Sequence, residues 1–152
     1  MIQRMSIIFL QTFILLFGIV VFVLLILLPL LEGRAANLQL VQIYADPFVL
    51  YGYAASSFFF VLLYKVFKLL GFIKQNTVYA PATVSILKSI QFCAIVFSIL
   101  IVAAGIYIKL YHHKEDDPTG FYAICSFTTV CAISVTIVAY RFDKKIQKNL
   151  DR

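Results

Sequence analysis

The chain has 152 residues, of which 62% are hydrophobic and 13% are charged, and Lys and Arg outnumber Asp and Glu by 13 to 7. Soluble proteins are roughly 45–50% apolar and about 25% charged, and a globule of this size has too little interior to bury such an excess of apolar surface. The composition and the mean hydropathy of +0.96 therefore exclude a soluble domain and indicate an integral membrane protein.

Four segments without a charged residue follow one another along the chain. They cover residues 5–31, 47–64, 89–108 and 118–140. A transmembrane helix needs about 17–25 apolar residues to cross a hydrocarbon core of ~30 Å, and all four segments are long enough. Because they are continuous apolar blocks and not strands of alternating polarity, they predict helices.

The predicted fold is an all-α membrane protein, a single transmembrane domain over residues 1–152 built as an antiparallel bundle of four helices. The spans are expected at about 5–31, 47–70, 84–110 and 118–141, with a cytoplasmic connection at about 71–83 and a cytoplasmic tail at 142–152. The first span is about twice as long as the apolar core of a signal peptide, so it is expected to stay in the membrane.

Loop charges predict the orientation of these helices. If both termini and the middle connection lie on one side, that side holds ten of the 13 Lys and Arg residues. The positive-inside rule assigns the richer side to the cytoplasm. We therefore expect a multi-pass protein of the cell membrane with both termini in the cytoplasm.

The connection between the second and third segments has a predicted shape. Gly71 is expected to end the second helix, because glycine adopts the left-handed conformation of a helix C-cap without strain. The sequence KQNT at residues 74–77 is typical of a turn. Pro81 then suits the first position of a helix, and this helix is expected to run to about Tyr111.

The four segments contain no Asp, Glu, Lys, Arg or His. Ionisable residues inside a membrane mark proton relays and ion pathways, because they are costly to keep in lipid. Their absence disfavours proton-coupled exporters, pumps and voltage sensors. A passive pore lined by hydroxyl groups remains an alternative. The sequence also lacks a phosphate-binding glycine loop, a Ser-His-Asp set and a metalloprotease motif, so we predict that the protein is not an enzyme.

Cysteine and histidine residues are the other candidates for chemistry. Cys93, Cys125 and Cys131 lie inside spans and form no C-x-x-C motif, so we interpret them as apolar packing residues. The segment YHHKEDDPTG at residues 111–120 gathers two histidines and three acids, which are metal-ligating residue types. Adjacent histidines point in different directions, so a solvated loop is the preferred interpretation over a metal site, and no cofactor is predicted.

Two further sets of residues are predicted to make contacts. Small residues that let helices approach closely in lipid are expected at helix–helix contacts: Gly52, Ser56, Ala94, Ser98 and Gly105. Basic residues on the cytoplasmic side are expected to set the topology and to contact anionic lipid, or to dock a cytoplasmic partner: Lys65, Lys68, Lys74, Lys88, Arg141, Lys144, Lys145 and Lys148. The tail is too short for a separate nucleic-acid-binding module, so direct contact with nucleic acid is not expected.

Three motifs between Tyr64 and Ile95 carry a resemblance to known proteins. They are KLL at residues 68–70, YAP at residues 79–81 and LKSIQFCA at residues 87–94, and the likeness extends to the acidic turn before the fourth segment. This pattern resembles the YoaS-like family of small bacterial four-helix membrane proteins, a domain of unknown function. The C-terminus departs from the family pattern in being shorter and less helical.

The resemblance implies no catalytic residues, a location in the bacterial inner membrane, and a small helix-turn-helix regulator encoded beside such proteins. The leading hypothesis is therefore a non-enzymatic membrane protein that binds such a regulator or another cytoplasmic protein. The alternatives are an immunity or envelope-stress protein that protects the membrane from a peptide toxin and, less favoured, a passive channel or transporter. Assembly into a homo-oligomer is a further expectation that the residues leave open.

Overall fold

A computed structural model describes residues 2–31, 41, 44–111 and 119–152. Within these residues the chain forms four long helices and no β-strand. The helices are α1 (Ile2–Leu31), α2 (Pro47–Lys74), α3 (Pro81–Tyr111) and α4 (Thr119–Leu150). Each is long and apolar enough to cross a bilayer. The predicted all-α membrane protein with four transmembrane helices is therefore confirmed.

The chain divides into two compact units, Met1–Lys74 and Gln75–Arg152. The first unit, here called the first hairpin, contains α1 packed against α2, and the second hairpin contains α3 packed against α4. The helices of the second hairpin are about 45 Å long at 1.5 Å per residue. Only seven residues separate them, too few to carry the chain back to the far end, so α3 and α4 are antiparallel.

Side-chain chemistry explains where α2 and α3 begin. The carboxylate of Asp46 accepts a hydrogen bond of 2.8 Å from the backbone N–H of Phe48, which caps α2, and Pro47 takes the first helical position. Pro81 takes the same position in α3, as predicted. The hydroxyl of Thr83 donates a hydrogen bond of 3.3 Å to the carbonyl of Thr77, which ties the first turn of α3 to the preceding chain.

The turn between α2 and α3 lies later in the chain than its glycine predicts. Gly71 lies inside α2, which continues to Lys74, so the prediction that Gly71 ends this helix was wrong. The left-handed conformation falls instead on Asn76, with φ of 55°. Asparagine tolerates this conformation because its short polar side chain can hydrogen-bond locally. The predicted turn at residues 74–77 is confirmed at residues 75 and 76.

Aromatic side chains form the seam between α1 and α2. Phe17 packs edge-on against Phe59 with ring centroids 6.2 Å apart, and Phe22 packs in the same manner against Phe60 at 6.1 Å. Edge-to-face pairs at this separation are favourable because the positive ring edge meets the negative ring face. The seam is therefore held by large side chains in the middle of both helices.

Hydrogen bonds close both ends of this seam and show that α1 and α2 are antiparallel. The side-chain amide of Gln11 donates to the carbonyl of Phe67 at 3.3 Å. The hydroxyl of Tyr53 donates to the carbonyl of Leu25 at 3.1 Å. A residue early in α1 thus meets a residue late in α2, and the reverse holds at the other end.

The interior of the second hairpin is more extensive. Its buried side chains are Thr83, Ile86, Leu87, Ile90, Cys93, Ala94, Phe97 and Ala104 in α3, and Ala132, Ala139, Asp143 and Ile146 in α4. Most of these residues lie in the first half of α3 and the second half of α4. Because the helices are antiparallel, the two sets meet at the same end of the hairpin, so the best-packed part of the molecule is the end that carries the chain's C-terminus.

The C-terminal segment is helical almost to its end, because α4 continues without interruption to Leu150. That it is shorter and less helical than the family pattern stays a prediction. Packing stabilises this end of the helix, since Asp143 and Ile146 are buried and extend the apolar contact of α4 beyond the predicted span. The tail at 142–152 is therefore mostly a helical extension of the hairpin.

Candidate interaction surface

The eight basic residues predicted as an interaction surface belong to two separate units. Lys65, Lys68 and Lys74 lie on α2 in the first hairpin. Lys88 lies on α3 and the remaining four lie on α4, all in the second hairpin. Lys65 and Lys74 are half-buried, and the other six are exposed. The prediction of one common surface stays a prediction, and each hairpin is described by itself.

In the second hairpin the antiparallel arrangement brings Lys88 to the level of the basic residues on α4. Lys88 lies 23 residues before the end of α3, and Phe142 lies 23 residues after the start of α4. Equal rises along the two helices place them at the same height. We name these five exposed residues the basic face: Lys88, Arg141, Lys144, Lys145 and Lys148.

Helical periodicity explains why the basic residues of α4 are exposed. The buried residues Ala139, Asp143 and Ile146 recur at intervals of four and three, so they form one stripe along the helix. The basic residues at 141, 144, 145 and 148 recur at the same intervals on the remaining surface. Packing of the stripe against α3 therefore turns all four cations away from the hairpin interior.

The burial of Asp143, beside the basic face, is a feature that sequence reasoning missed. The Asp143 side chain is only 6% exposed, and its carboxylate accepts a hydrogen bond of 3.0 Å from the side-chain amide of Gln147. In the sequence it counts as an ordinary acid of a basic tail. Because it is turned inward, the basic face carries no neighbouring carboxylate until Asp151. Its place in the stripe with Ala139 and Ile146 is the signal that could have revealed its burial.

Two polar side chains of the second hairpin have unusual local environments. The ammonium of Lys144 lies 4.9 Å from the ring centroid of Tyr140, a cation–π contact that favours one position for this side chain. On α3, the side-chain Nε2 of Gln91 is buried and donates to no atom of the described residues. A buried donor left in this state lowers stability, so Gln91 is a weak point in an otherwise well-packed interior.

The predicted packing residues occupy several kinds of environment. Ala94 is completely buried, whereas a Cβ added at Gly52 or Gly105 would meet nothing within 4 Å. The hydroxyls of Ser56 and Ser98 donate to carbonyls of their own helices, at 2.7 Å and 2.9 Å. A role for these five residues in contacts between helices stays a prediction.

The glycine that does allow a close approach was not predicted. A Cβ added at Gly18 would lie 2.7 Å from Cδ2 of Leu63, so the absence of a side chain here lets Leu63 of α2 pack directly against α1. Gly18 has no small partner four residues away in the sequence, and for this reason the small-x-x-x-small pattern did not mark it.

Hydroxyl groups in the spans are mostly satisfied by their own helices. Those of Thr128, Thr129, Ser134 and Thr136 donate to the carbonyl four residues earlier at 2.7–2.9 Å. Such bonds satisfy the hydroxyl donor without a partner on another helix. These four hydroxyl donors of α4 are thus not available to line the passive pore that was one of the alternative functions.

The candidate reactive residues stand apart from one another. Cys93 is buried, Cys125 is half-buried and Cys131 is exposed, and all three are free thiols. The packing interpretation thus fits Cys93, whereas Cys131 lies on the surface of its hairpin. The described residues contain no group of three or more His, Cys, Asp or Glu that could hold a metal ion. The histidines and acids of residues 112–117 lie outside the described residues.

Comparison with known proteins agrees with this description. The profile of a family described as "Protein of unknown function (DUF2975)" matches residues 29–141. The chain is also similar to the "Uncharacterized membrane protein YoaS" of Bacillus subtilis (strain 168), with 30% identity over 151 residues, 98% of this chain and 94% of the relative. No solved structure matches the chain. The four apolar helices and these two matches together show that the chain belongs to the DUF2975 family of membrane proteins.

Proposed function

We propose that this membrane protein is a non-enzymatic binding protein that holds a cytoplasmic protein against the inner face of a bacterial cell membrane. The observation that carries the proposal is the basic face of the second hairpin. It combines five exposed cations with the best-packed interior of the molecule. A partner with an acidic surface is the complement that such a face selects.

Rigidity distinguishes the basic face from an ordinary charged tail. Leu87 and Ile146 are each only 1% exposed, and they hold the helices that display Lys88 and Lys145. Cations on a preorganised scaffold lose less conformational entropy on binding than cations on a flexible chain. The helical extension of α4 therefore supports specific docking in addition to the general attraction that cations have for anionic lipid.

The inward position of Asp143 adds to this argument. An exposed carboxylate at that place would weaken attraction for an acidic partner and would favour a local ion pair with a neighbouring lysine. With the carboxylate buried, the exposed surface of α4 between Arg141 and Lys148 presents only positive charge among its ionised groups. A small helix-turn-helix regulator with an acidic flank is the partner that we propose.

The proposal requires that the basic face lie in the cytoplasm. Ten of the 13 Lys and Arg residues fall on the side assigned there by the positive-inside rule,. A single cysteine at Gln75, an exposed position in the turn, placed in a chain without its own three cysteines, tests this point. A membrane-impermeant thiol reagent should leave it unlabelled in intact cells and label it after lysis.

Co-purification in mild detergent tests the binding itself. The chain is purified with the helix-turn-helix regulator, and the triple variant Lys144→Gln, Lys145→Gln, Lys148→Gln is compared with the unmodified chain. Exposed ion pairs contribute about 0.2–1 kcal/mol each, so three should change the affinity about tenfold. Deletion of the membrane protein should also change the regulator's activity.

A second triple variant, Arg34→Gln, Lys109→Gln, Lys114→Gln, is the matched control. It removes the same charge from the side predicted to face outward, and it should bind the regulator normally. Equal losses in both variants would point to net charge alone and contradict the proposal. Absence of association, or recovery of anionic lipid without any protein, would also contradict it.

A further inference from the structure

A groove runs along the seam of the first hairpin. It has a volume of about 460 Å³, and its walls are apolar and aromatic. Gly18 lies in the groove wall between Phe22 of α1 and the residues Phe60, Leu63 and Phe67 of α2. Aromatic rings of both helices thus line the groove around the close contact between Gly18 and Leu63.

The apolar groove leads toward cations at one end of the hairpin. Arg4, Gln11 and Gly18 are spaced seven residues apart, as are Lys74, Phe67 and Phe60, so each set shares one face of its helix. Gln11 is hydrogen-bonded to the carbonyl of Phe67. Arg4 and Lys74 therefore lie at the same end, each seven residues beyond that bond and on the seam side.

A third cation lies between the groove and this end. Lys68 is exposed and follows Tyr64, which lines the groove, by one helical turn. Among the described residues of this hairpin the one carboxylate is Asp46, which lies at the opposite end of α2. Three cations near the groove mouth thus have no acidic partner in the described part of their own hairpin, and an anionic group is their electrostatic complement.

We infer that the seam groove binds an anionic phospholipid. One acyl chain lies in the groove beside Gly18, and the phosphate group is held by Arg4, Lys68 and Lys74. The groove extends from Ile14 to Phe22 on α1, which is roughly 12 Å of helix, and its near end lies four residues, roughly 6 Å, beyond the level of Lys68. Basic pockets between transmembrane helices are known to bind anionic headgroups, and here the apolar wall adds a place for the chain.

This site is independent of the basic face, because it lies in the other hairpin. It also differs from general attraction to the membrane surface. Surface attraction would give a preference for anionic headgroups without holding an acyl chain in one position. The inference therefore predicts that a probe inside the groove contacts anionic lipid in preference to neutral lipid. A probe on an ordinary lipid-facing side chain should show no such preference.

The chain contains no tryptophan, which permits a direct fluorescence test. The variant Phe60→Trp places a reporter in the groove wall, and Phe92→Trp places one on α3 at a side chain that is 65% exposed. Each variant is reconstituted in vesicles that contain phosphatidylglycerol or phosphatidylcholine with brominated acyl chains. Bromine quenches the tryptophan only at short range.

The groove reporter should prefer brominated phosphatidylglycerol by roughly five-fold for each lysine that contacts the headgroup, and the α3 reporter should show no preference. Added to the groove reporter, Lys68→Gln with Lys74→Gln should reduce the preference to the roughly five-fold that Arg4 alone supplies. The matched pair Lys144→Gln with Lys145→Gln removes two charges of the basic face and should leave the preference unchanged.

Several results would overturn the inference. Equal quenching by both lipids at both reporters would show ordinary annular lipid. No quenching of the groove reporter by either lipid would show that protein covers the groove. If the aromatic substitution impairs folding, lipid retained by the otherwise unmodified chain is measured by mass spectrometry. Anionic lipid should be enriched there and reduced in the Lys68 and Lys74 variant, and an unchanged lipid profile would contradict the inference.

Discussion

The two hairpins have helices of similar length but different interiors. Among the described residues of the second hairpin twelve side chains are buried, and four of them are alanines. In the described part of the first hairpin only Gly18, Ala55 and Leu62 are buried, and large aromatic residues form the seam. Small residues let helix backbones approach closely in lipid, whereas phenylalanine rings keep them apart. One hairpin thus forms a tight scaffold, and the other leaves a groove.

Truncation of a core residue should show this difference most strongly. Leu87 is 1% exposed, and Leu87→Ala removes contacts and leaves a cavity, which costs about 2–5 kcal/mol of the free energy of unfolding. Denaturant titration in detergent, followed by circular dichroism, measures the loss. Leu16 in the first hairpin is 59% exposed, so Leu16→Ala is the control and should change stability by less than ~0.5 kcal/mol. Equal losses in the two variants would contradict the difference in packing between the hairpins.

The two glutamines that face the seams should respond in opposite directions. Gln91 has a buried amide nitrogen without a described acceptor, so Gln91→Leu removes an unsatisfied donor and should raise the free energy of unfolding by about 1 kcal/mol. Gln11 donates to the carbonyl of Phe67, so Gln11→Leu should lower it by about 0.5–1 kcal/mol. The same titration measures both variants. A loss on Gln91→Leu would mean that its amide has a partner after all.

Alanine substitutions of two glycines in the first hairpin should give the smallest effects. At Gly52 a Cβ meets open space, so Gly52→Ala should stabilise α2 by up to about 1 kcal/mol through helix propensity. At Gly18 the same change brings the Cβ to 2.7 Å from the end of the Leu63 side chain. Leu63 must shift, and we expect the propensity gain to be cancelled or reversed. Thermal unfolding of the two variants, measured side by side, tests this difference in stability. Equal stabilisation by both substitutions would contradict it.

Much of the secondary structure could be predicted because the bilayer imposes it. Continuous apolar segments must form helices in lipid to satisfy their backbone groups, and the four helices were found. The helix from Pro81 to Tyr111 was predicted from the preference of proline for a first helical turn, and both of its ends were confirmed. Local chemistry and segment length were sufficient for these features.

Predictions failed where a residue's role depends on its neighbours in space. Gly71 can end a helix, but it does not do so because α2 continues to Lys74. In the segment after residue 141, Asp143 and Ile146 are buried and α4 stays helical to Leu150, which the charges of this segment do not indicate. The basic residues themselves were identified from the sequence. That Lys88 lies at the same height as the basic residues of α4 follows only from the pairing of α3 with α4.

By itself the sequence determined that this protein crosses a membrane four times, because the solvation of apolar segments depends on their length and composition. The tertiary structure decided which side chains face each other. It turned Asp143 inward and the lysines of α4 outward, and it opened a groove beside Gly18 where phenylalanine rings separate two helices. Such outcomes depend on the fit of side-chain volumes across a helix pair, which residue spacing along one helix does not specify.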